Sequence, residues 1–252
     1  MKPQHGAFVR QFDERVCDRK LSFDWLNKCR LDPCTEGYIC AAQEMALFTR
    51  VHEKRILKVR DDDRCRVCNK EPETIFHILA GCENLAKREY LERHNGICKY
   101  LHHKILLEFS LPCGPNWFNH EPEDVVLTRE VDVIYDQTIT TDRPCGANKP
   151  DLVIRDKKRK KTWIIDVSCP CDVNIKKKEE EKKSKYCGLK VEMQRMWGTS
   201  CIIVPIVVGG LGTVSKDLVS YLKDVPGGPE LHVCQKICLL GSQKILRSVL
   251  SR

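Results

Sequence analysis

The chain has 252 residues, with 43 Lys and Arg against 35 Asp and Glu, so its formal net charge is +8. This length accommodates one domain of medium size and a small one, and the positive charge favours a polyanionic partner such as nucleic acid. No apolar run has the length of a membrane span and residues 1–10 lack the apolar core of a signal peptide, so we expect an intracellular protein whose 16 cysteines are reduced thiols or metal ligands.

Residues 1–60 are expected to form a helical linker segment. Residues 35–58 contain many good helix formers at amphipathic spacing, which predicts one or two helices. Packing against the rest of the protein is the simpler role for these helices, and contact with nucleic acid is the alternative. Residues 1–34 have mixed charge and scattered aromatic side chains, and they indicate no function.

Four soft ligands follow with the spacing C-x2-C-x8-H-x4-C, and they are Cys65, Cys68, His77 and Cys82. Such a set is sufficient for a closed tetrahedral zinc site, which stabilises small loop-rich segments. We expect Pro72-Glu73 to begin a short helix that carries His77, and Gly81 to end it and turn Cys82 inward. The alternative is four unligated residues in a cysteine-rich chain. The spacing favours a structural Zn²⁺ knuckle of the CCHC type.

Residues 84–109 predict one long helix or two, so the knuckle and its following helices are expected to span residues 61–110. Three histidines of this stretch are expected to be exposed polar residues, namely His94, His102 and His103. The basic residues that could contact phosphates here are Lys87, Arg88, Arg93, Lys99 and Lys104.

A connector rich in Pro and Gly, residues 111–116, predicts the boundary of a second domain at residues 117–252. Residues 131–141 predict a helix end or turn that enters a first strand. Residues 201–208 are a nearly continuous apolar run typical of a buried central strand, although Pro205 inside it indicates an edge or a bulge. The remaining expected elements are a turn at 209–212 and helices at 215–223 and 230–250. The order helix, three strands, helix, strand predicts an α/β core with a mixed sheet.

Two strand-like runs flank the charged loop 156–161 and predict a β-hairpin. With this loop, Arg155 pairs with Thr162, and counting outward places Asp151 opposite Asp166 on one face of the sheet. Directly opposed residues have Cβ atoms roughly 4.5–5.5 Å apart. Two carboxylates this close repel each other unless a cation or a proton lies between them. The hairpin therefore predicts a site for a divalent metal bound through oxygen.

The chain after Ile175 is rich in Lys, Glu, Met and Leu, which predicts a helix. The apolar positions that should face the sheet are Ile175, Tyr186, Leu189, Met193 and Met196. Lys182 falls on the same stripe, and Lys185 is its neighbour on the same side. Most other lysines of residues 176–185 are expected to form a solvated face. Lys182 should point at the two carboxylates, where it could balance their charge and contact a phosphate.

The order Pro150-Asp151, Asp166 and then a helical lysine resembles the PD-(D/E)xK nuclease superfamily, although the usual lysine two residues after the second acid is Ser168 here. A lysine on the next helix resembles the restriction-like endonuclease at the C-terminus of site-specific non-LTR retrotransposon polyproteins, called type-1 retrotransposable element Pol proteins. In that family Lys/Arg-Pro-Asp precedes the second Asp, and a Lys-x-x-Lys-Tyr signature follows. The chain has Lys149-Pro150-Asp151 and 182-KKSKY-186 in these places. The long spacing of the CCHC set resembles the knuckle that precedes this nuclease.

The resemblance implies a PD-(D/E)xK core, a mixed sheet flanked by helices, preceded by a helical segment with the knuckle. It implies a metal-dependent DNA endonuclease in which Asp151 and Asp166 hold Mg²⁺ or Mn²⁺, and Lys182, with Lys185, orients the attacking water or neutralises charge on the phosphorus. The superfamily often adds a third acid, for which Asp132, Asp136 and Asp142 are available. Each of these three is otherwise expected to be a solvated turn residue.

The implied substrate is double-stranded DNA, nicked in the nucleus to prime reverse transcription. The implied partners also include element RNA and the polymerase portion of the same element, and no membrane. The sequence contains no polymerase Tyr-x-Asp-Asp, so a C-terminal fragment or derivative of the polyprotein is expected. Two alternatives stay open: a catalytically inactive, domesticated nucleic-acid-binding protein, and a structure-specific nuclease that acts on DNA junctions.

Overall fold

The computed structural model describes residues 6–10, 12 and 15–252. Its centre is a sheet of five strands in the order β1-β2-β3-β4-β5. The strands are β1 (Val125–Leu127), β2 (Val131–Tyr135), β3 (Leu152–Asp156), β4 (Lys161–Ser168) and β5 (Ser200–Val207). The first three pairs are antiparallel, and β4 pairs with β5 in parallel. The predicted mixed α/β class is confirmed. The sequence did not predict β1, a short edge strand whose side chains are largely exposed.

Helices flank the sheet and form the part of the chain that precedes it. They are α1 (Ala7–Arg10), α2 (Arg19–Phe23), α3 (Trp25–Lys28), α4 (Pro33–Gln43), α5 (Arg50–His52), α6 (Glu83–Leu85), α7 (Leu91–Glu108), α8 (Ile175–Lys185), α9 (Cys187–Trp197), α10 (Leu218–Asp224) and α11 (Leu231–Leu250). Turns of π type cover Glu53–Leu57, His77–Gly81 and Ala86–Tyr90, and 3-10 turns cover Trp117–Asn119 and Asp172–Asn174. None of the described helices is long and apolar enough to cross a membrane.

The β3–β4 hairpin has the predicted register, because Arg155 pairs with Thr162. The ladder continues one pair further than expected, to Asp156 and Lys161, so the connecting turn is 157–160 and not 156–161. The Asp156 side chain accepts a hydrogen bond from the backbone N–H of Arg159 at 2.7 Å. This bond closes the turn from inside, as Asp side chains often do.

Pro205 lies in β5, which is the edge strand of the sheet and pairs only with β4. The parallel register runs without interruption from Lys161 opposite Ser200 to Ser168 opposite Val207. A proline has no backbone N–H to donate. An edge strand tolerates this, because on its outer side no neighbouring strand requires a hydrogen-bond donor. The edge interpretation of Pro205 is therefore confirmed, and the expectation of a central strand for residues 201–208 is wrong.

Both faces of the sheet are covered, because successive side chains of each strand point to opposite sides. Leu152 and Ile154 of β3 share one core cluster with buried residues of α7, α10 and α11. Val153 between them packs on the other face, with Tyr186 and with Leu189 of α9. α7 precedes the connector 111–116, whereas the sheet, α10 and α11 follow it. All of them contribute to one core, so this core crosses the position that was predicted as a domain boundary.

Two histidines of α7 correct the sequence prediction. His102 and His103 were expected to be exposed, but they are 0% and 3% exposed. The Nδ1 atom of His102 lies 2.7 Å from Nε2 of His120, and Nε2 of His103 lies 2.7 Å from the carbonyl oxygen of Gly114. The residues after α7 fold back over it and cover this face, which helical spacing alone does not reveal.

Candidate functional site

Asp151 and Asp166 lie at the same end of the β3–β4 hairpin. The last hydrogen-bonded pair is Leu152 with Ile165, and one further step of this register brings Asp151 across from Asp166. The side chain of Asp151 reaches over to β4, where its Oδ2 atom accepts the backbone N–H of Val167 at 2.6 Å. The register that the sequence predicted for the two acids therefore corresponds to their observed positions.

Asp166 is 2% exposed and is held by residues that follow α8 or belong to it. Its Oδ1 atom accepts a hydrogen bond from the Tyr186 hydroxyl at 2.7 Å, and its Oδ2 atom forms an ion pair with Lys182. The Nζ atom of Lys185 lies 4.0 Å from Oδ1 and donates to the Tyr186 hydroxyl at 2.8 Å. The structure thus brings both predicted lysines to the second acid, with Lys182 in direct contact.

The predicted helix is broken at Tyr186, which separates α8 from α9. Tyr186 is fully buried, so its apolar ring is in the core while its hydroxyl reaches Asp166. Burial, and then the adjacent carboxylate of Asp166, raise the pKa of Tyr186. The hydroxyl therefore stays protonated at neutral pH and acts as a hydrogen-bond donor.

Asp151 is stabilised in its ionised form. Burial raises the pKa of its carboxyl group, but a hydrogen bond and charge from His94, the N–H of Val167 and the charge of Lys182 outweigh burial and lower this pKa. Among the described residues, the hydrogen bonds of Asp151 use Oδ2 and leave Oδ1 unengaged. An ionised carboxylate with one unengaged oxygen beside a second acid is a donor set that suits a divalent cation.

A cleft of about 330 Å³ lies next to this group. The carboxylates themselves do not line it, but their neighbours His94, Val167 and Lys182 do, together with Ser168, Asn174 and Lys178. Ser168, two residues after Asp166 in the chain, and Lys182 both belong to the lining of this cleft. Lys149 and Lys185 are exposed nearby, since one precedes Asp151 in the chain and the other contacts Tyr186.

Each of the three candidates for a third acid is paired with a basic residue. Asp132 is 6% exposed in β2 and its Oδ1 atom lies 2.6 Å from Lys157, so the expectation of a solvated turn residue is wrong for it. Asp136 and Asp142 are exposed, as expected, and lie 3.0 Å from Lys149 and 2.8 Å from Arg195, respectively. The side chain that lies beside Asp151 is instead that of His94, which was expected to be exposed.

His94 projects from α7, and its Nε2 atom lies 3.0 Å from Oδ2 of Asp151. Its side chain is 24% exposed, so the expectation of an exposed polar residue is wrong. Burial acts to lower the pKa of His94, but Cys98 and the Asp151 carboxylate outweigh it and raise this pKa. Helical spacing carried a signal for this contact, because position 94 shares a stripe with the buried Ile97, Cys98 and Leu101.

A second group is the predicted Cys3His set, in which Cys65, Cys68, His77 and Cys82 each offer a ligand atom within 4.8 Å of the others. The Sγ atom of Cys68 lies 3.3 Å from Nε2 of His77. Burial lowers the pKa of His77, which keeps its ring neutral and available as a ligand. This cluster could hold a metal such as zinc.

The local structure of this cluster differs from prediction at its helix. Gly81 ends the helical turn that carries His77, as predicted, but this helical segment begins at Ile75 and not at Pro72-Glu73. Glu73 has a fully buried side chain that accepts the backbone N–H of Arg66 at 2.7 Å and forms an ion pair with the Arg66 guanidinium at 2.7 Å. Arg66 lies between the first two cysteines, so Glu73 fixes the turn that presents them.

Two groups of residues thus have the geometry of chemical sites, the Cys3His cluster and the acid-lysine group at the end of the hairpin. No protein-family model matches this chain, and no curated protein matches it either. What the two groups do is therefore inferred from their own geometry.

Proposed function

We propose that this protein is a metal-dependent endonuclease that hydrolyses phosphodiester bonds of double-stranded DNA, with a PD-(D/E)xK core formed by the sheet and its helices. The observation that carries the proposal is the convergence of Asp151, Asp166 and Lys182 at one end of the hairpin. Two acids and a lysine at an open cleft are the groups that positioning and charge stabilisation of phosphodiester hydrolysis require.

Asp151 and Asp166 would hold the cation, which is Mg²⁺ or Mn²⁺. When bound, such an ion supplies positive charge to the phosphate and lowers the pKa of a water molecule. Tyr186 keeps Asp166 oriented through its hydroxyl, and the N–H of Val167 orients Asp151. Both acids are therefore held in position by partners within the fold.

Lys182 has two roles in this proposal. Its ammonium group neutralises Asp166, which is otherwise a buried negative charge. As a wall of the cleft it also meets the scissile phosphate, where it would stabilise the negative charge that develops as the bond breaks. Lys185 is more exposed and would add positive charge at the rim, together with Lys149.

The Cys3His cluster is proposed as a structural Zn²⁺ site that helps to position nucleic acid. Its three cysteines pack in a core cluster that also contains Ile245, Leu246 and Val249 of α11, so the knuckle is anchored to the nuclease part of the chain. By the family resemblance, we propose that the enzyme nicks target DNA in the nucleus for target-primed reverse transcription, as a derivative of a retrotransposon polyprotein. Element RNA and the polymerase portion would be its further partners.

The proposal is tested by nicking of supercoiled plasmid with the zinc-loaded protein in Mg²⁺ or Mn²⁺. We expect Asp151→Asn to abolish nicking while duplex binding and zinc content are retained. Asp142→Asn is the matched control, since Asp142 is an exposed acid paired with Arg195, and it should nick like the wild type. Equal nicking by wild type and Asp151→Asn would refute the proposed active site. Binding without nicking by the wild type would indicate a nucleic-acid-binding protein instead.

A further inference from the structure

The cleft next to the acid-lysine group carries an excess of positive charge. Its charged lining residues are Arg93, His94, Lys178 and Lys182. Among the described residues, the lining of the cleft includes no carboxylate. His94 and Lys182 are each paired with one of the two acids, so their charges are balanced. The charges of Arg93 and Lys178 are left to attract an anion.

Arg93 is a buried charge that has only neutral partners. It is 3% exposed, and it donates to the Ser242 hydroxyl at 2.9 Å and to the carbonyl oxygens of Leu79 and Cys169 at 2.8 Å and 3.0 Å. Its Nε atom is buried without a hydrogen-bond partner, and no carboxylate of the described residues forms an ion pair with it. A buried charge is costly unless an opposite charge compensates it. The cleft beside Arg93 is the place where an anion can do so.

Cys169 reports that the potential in this cleft favours negative charge. Its side chain belongs to the lining, close to the guanidinium of Arg93. A hydrogen bond with the Cys238 thiol, and then the charges of Arg93 and His94, outweigh burial and lower the pKa of Cys169 to about 7. A group that is ordinarily neutral thus gains negative charge here, as an incoming phosphate would be stabilised by the same charges.

The start of α8 forms another wall of the cleft, where Asn174 and Lys178 belong to the lining. The Asn174 side chain does not cap the helix, and the first turn contains no acidic residue. The carboxylate of Asp172 points elsewhere and accepts the N–H groups of Leu211 and Thr213 at 3.1 Å and 3.2 Å. The first N–H groups of a helix have no partner within it and carry partial positive charge, so such ends bind phosphates.

We propose that Arg93, Asn174 and Lys178, with the N–H groups at the start of α8, form a subsite for a backbone phosphate of the duplex next to the scissile one. This inference rests on the proposed nuclease function, because the acid-lysine group defines the scissile phosphate. Lys178 and Lys182 are one turn apart on α8, about 6 Å along its axis, so a strand can pass from one to the other. Lys178 pairs with Glu181 at 2.7 Å, but surface pairs of this kind contribute little and can be exchanged for a phosphate.

The test measures binding of a short DNA duplex by the zinc-loaded full chain, without Mg²⁺ or Mn²⁺. Lys178→Met should weaken binding roughly eightfold at about 0.1 M salt and reduce the slope of log Kd against log salt by about 0.9, which is the contribution of one phosphate contact. Lys177→Met is the matched control, since Lys177 is an exposed neighbour outside the lining, and it should change both quantities much less. Arg93→Met would also delete three structural hydrogen bonds, so the variants on α8 carry the test.

Asn174→Asp separates phosphate binding from helix stability. A carboxylate at this end interacts favourably with the helix dipole but repels a phosphate. The urea midpoint of Asn174→Asp should therefore equal or exceed that of the wild type, while duplex binding weakens as in Lys178→Met. Duplex affinity and salt slope like those of Lys177→Met in both variants would overturn the inference.

Two further measurements identify the ligand and separate this inference from the proposed function. In calorimetric titrations with inorganic phosphate, loss of phosphate binding by both variants with unchanged duplex binding would show a site for free phosphate and overturn the inference. Plasmid nicking by the wild type reports on the proposed function alone. If the wild type does not nick but both variants bind the duplex weakly, the phosphate subsite stands and the nuclease is refuted.

Discussion

The hydroxyl of Tyr186 can be removed with little other change, which makes Tyr186→Phe a sensitive probe of the acid-lysine group. Tyr186 is fully buried, and its hydroxyl is 2.7 Å from Asp166 Oδ1, 2.9 Å from the carbonyl oxygen of Lys149 and 2.8 Å from Lys185 Nζ. Phenylalanine fills the same ring volume, so the substitution deletes these hydrogen bonds and creates almost no cavity.

The expected loss follows from the charge of the acceptor. A hydrogen bond to a charged group contributes about 1.5–3 kcal/mol to stability, and Asp166 is too buried to recover the lost bond from water. We therefore expect Tyr186→Phe to lower the free energy of unfolding by about 1.5–3 kcal/mol.

The assay is urea unfolding of the zinc-loaded wild type, Tyr186→Phe, Asp166→Asn and the double variant. If the two side chains interact, the double variant loses less than the sum of the single losses. Tyr221→Phe is the control, because the hydroxyl of Tyr221 bonds only to the exposed Lys183 among the described residues. A change below about 0.5 kcal/mol in Tyr186→Phe, or strict additivity, would refute the reasoning.

Three further predictions follow from other contacts. Lys182→Met should slow nicking by roughly 10²–10³-fold while duplex binding is retained. Lys183→Met, at the next residue of α8, is the control and should nick like the wild type. Equal single-turnover nicking rates for Lys182→Met and the wild type would show that Lys182 has no part in the mechanism. Arg66→Met should destabilise the zinc-loaded fold by about 3–5 kcal/mol, since it leaves the buried carboxylate of Glu73 without its charged partner. Arg64→Met, in the exposed pair with Asp62, should change stability much less. Equal urea midpoints for the two variants would contradict this. Burial lowers the pKa of His102 to about 4. As the pH falls from about 6.5 to 4, the unfolded state therefore binds a proton that the folded state does not, and stability decreases by up to about 3 kcal/mol. In unfolding titrations between pH 7 and 4.5, the stability of His102→Gln should depend less on pH than that of the wild type.

The hairpin shows what local sequence patterns determine well. Strand alternation and the length of the charged loop predicted the pairing of Arg155 with Thr162, and this pairing brought Asp151 and Asp166 to one end. The missing N–H of Pro205 likewise predicted an edge strand or a bulge, and β5 is an edge strand. These are consequences of backbone geometry over a few residues, so they do not depend on the rest of the fold.

The positions of the histidines depend on contacts between distant segments. His94 meets Asp151 because α7 packs across the sheet, and His102 is buried because the residues around His120 fold back over α7. Helical spacing puts His94 on the stripe of Ile97, Cys98 and Leu101, but it does not identify the residue that this stripe meets across the fold. The same holds for Asp132, whose partner Lys157 lies on the neighbouring hairpin.

The spacing of the Cys3His set predicted the cluster but not its surroundings. The four ligands are separated by short stretches of chain, so their spacing was enough to predict that they converge. Glu73 was expected to begin a helix together with Pro72, because proline suits the first helical position; instead its side chain is buried and bonds to Arg66. A buried carboxylate is costly unless it is paired with a positive charge, and the ion pair with Arg66 provides that partner.

The central claim is that Asp166 and Asp151 together hold the cation that cleaves DNA, and single-turnover nicking of prebound duplex tests it most directly. With wild type and Asp166→Asn compared at saturating protein, differences in DNA binding do not enter the rate. The account predicts Mn²⁺-dependent nicking by the wild type and none by Asp166→Asn, with equal amounts of bound duplex and zinc. Nicking at the same rate by both proteins would contradict it.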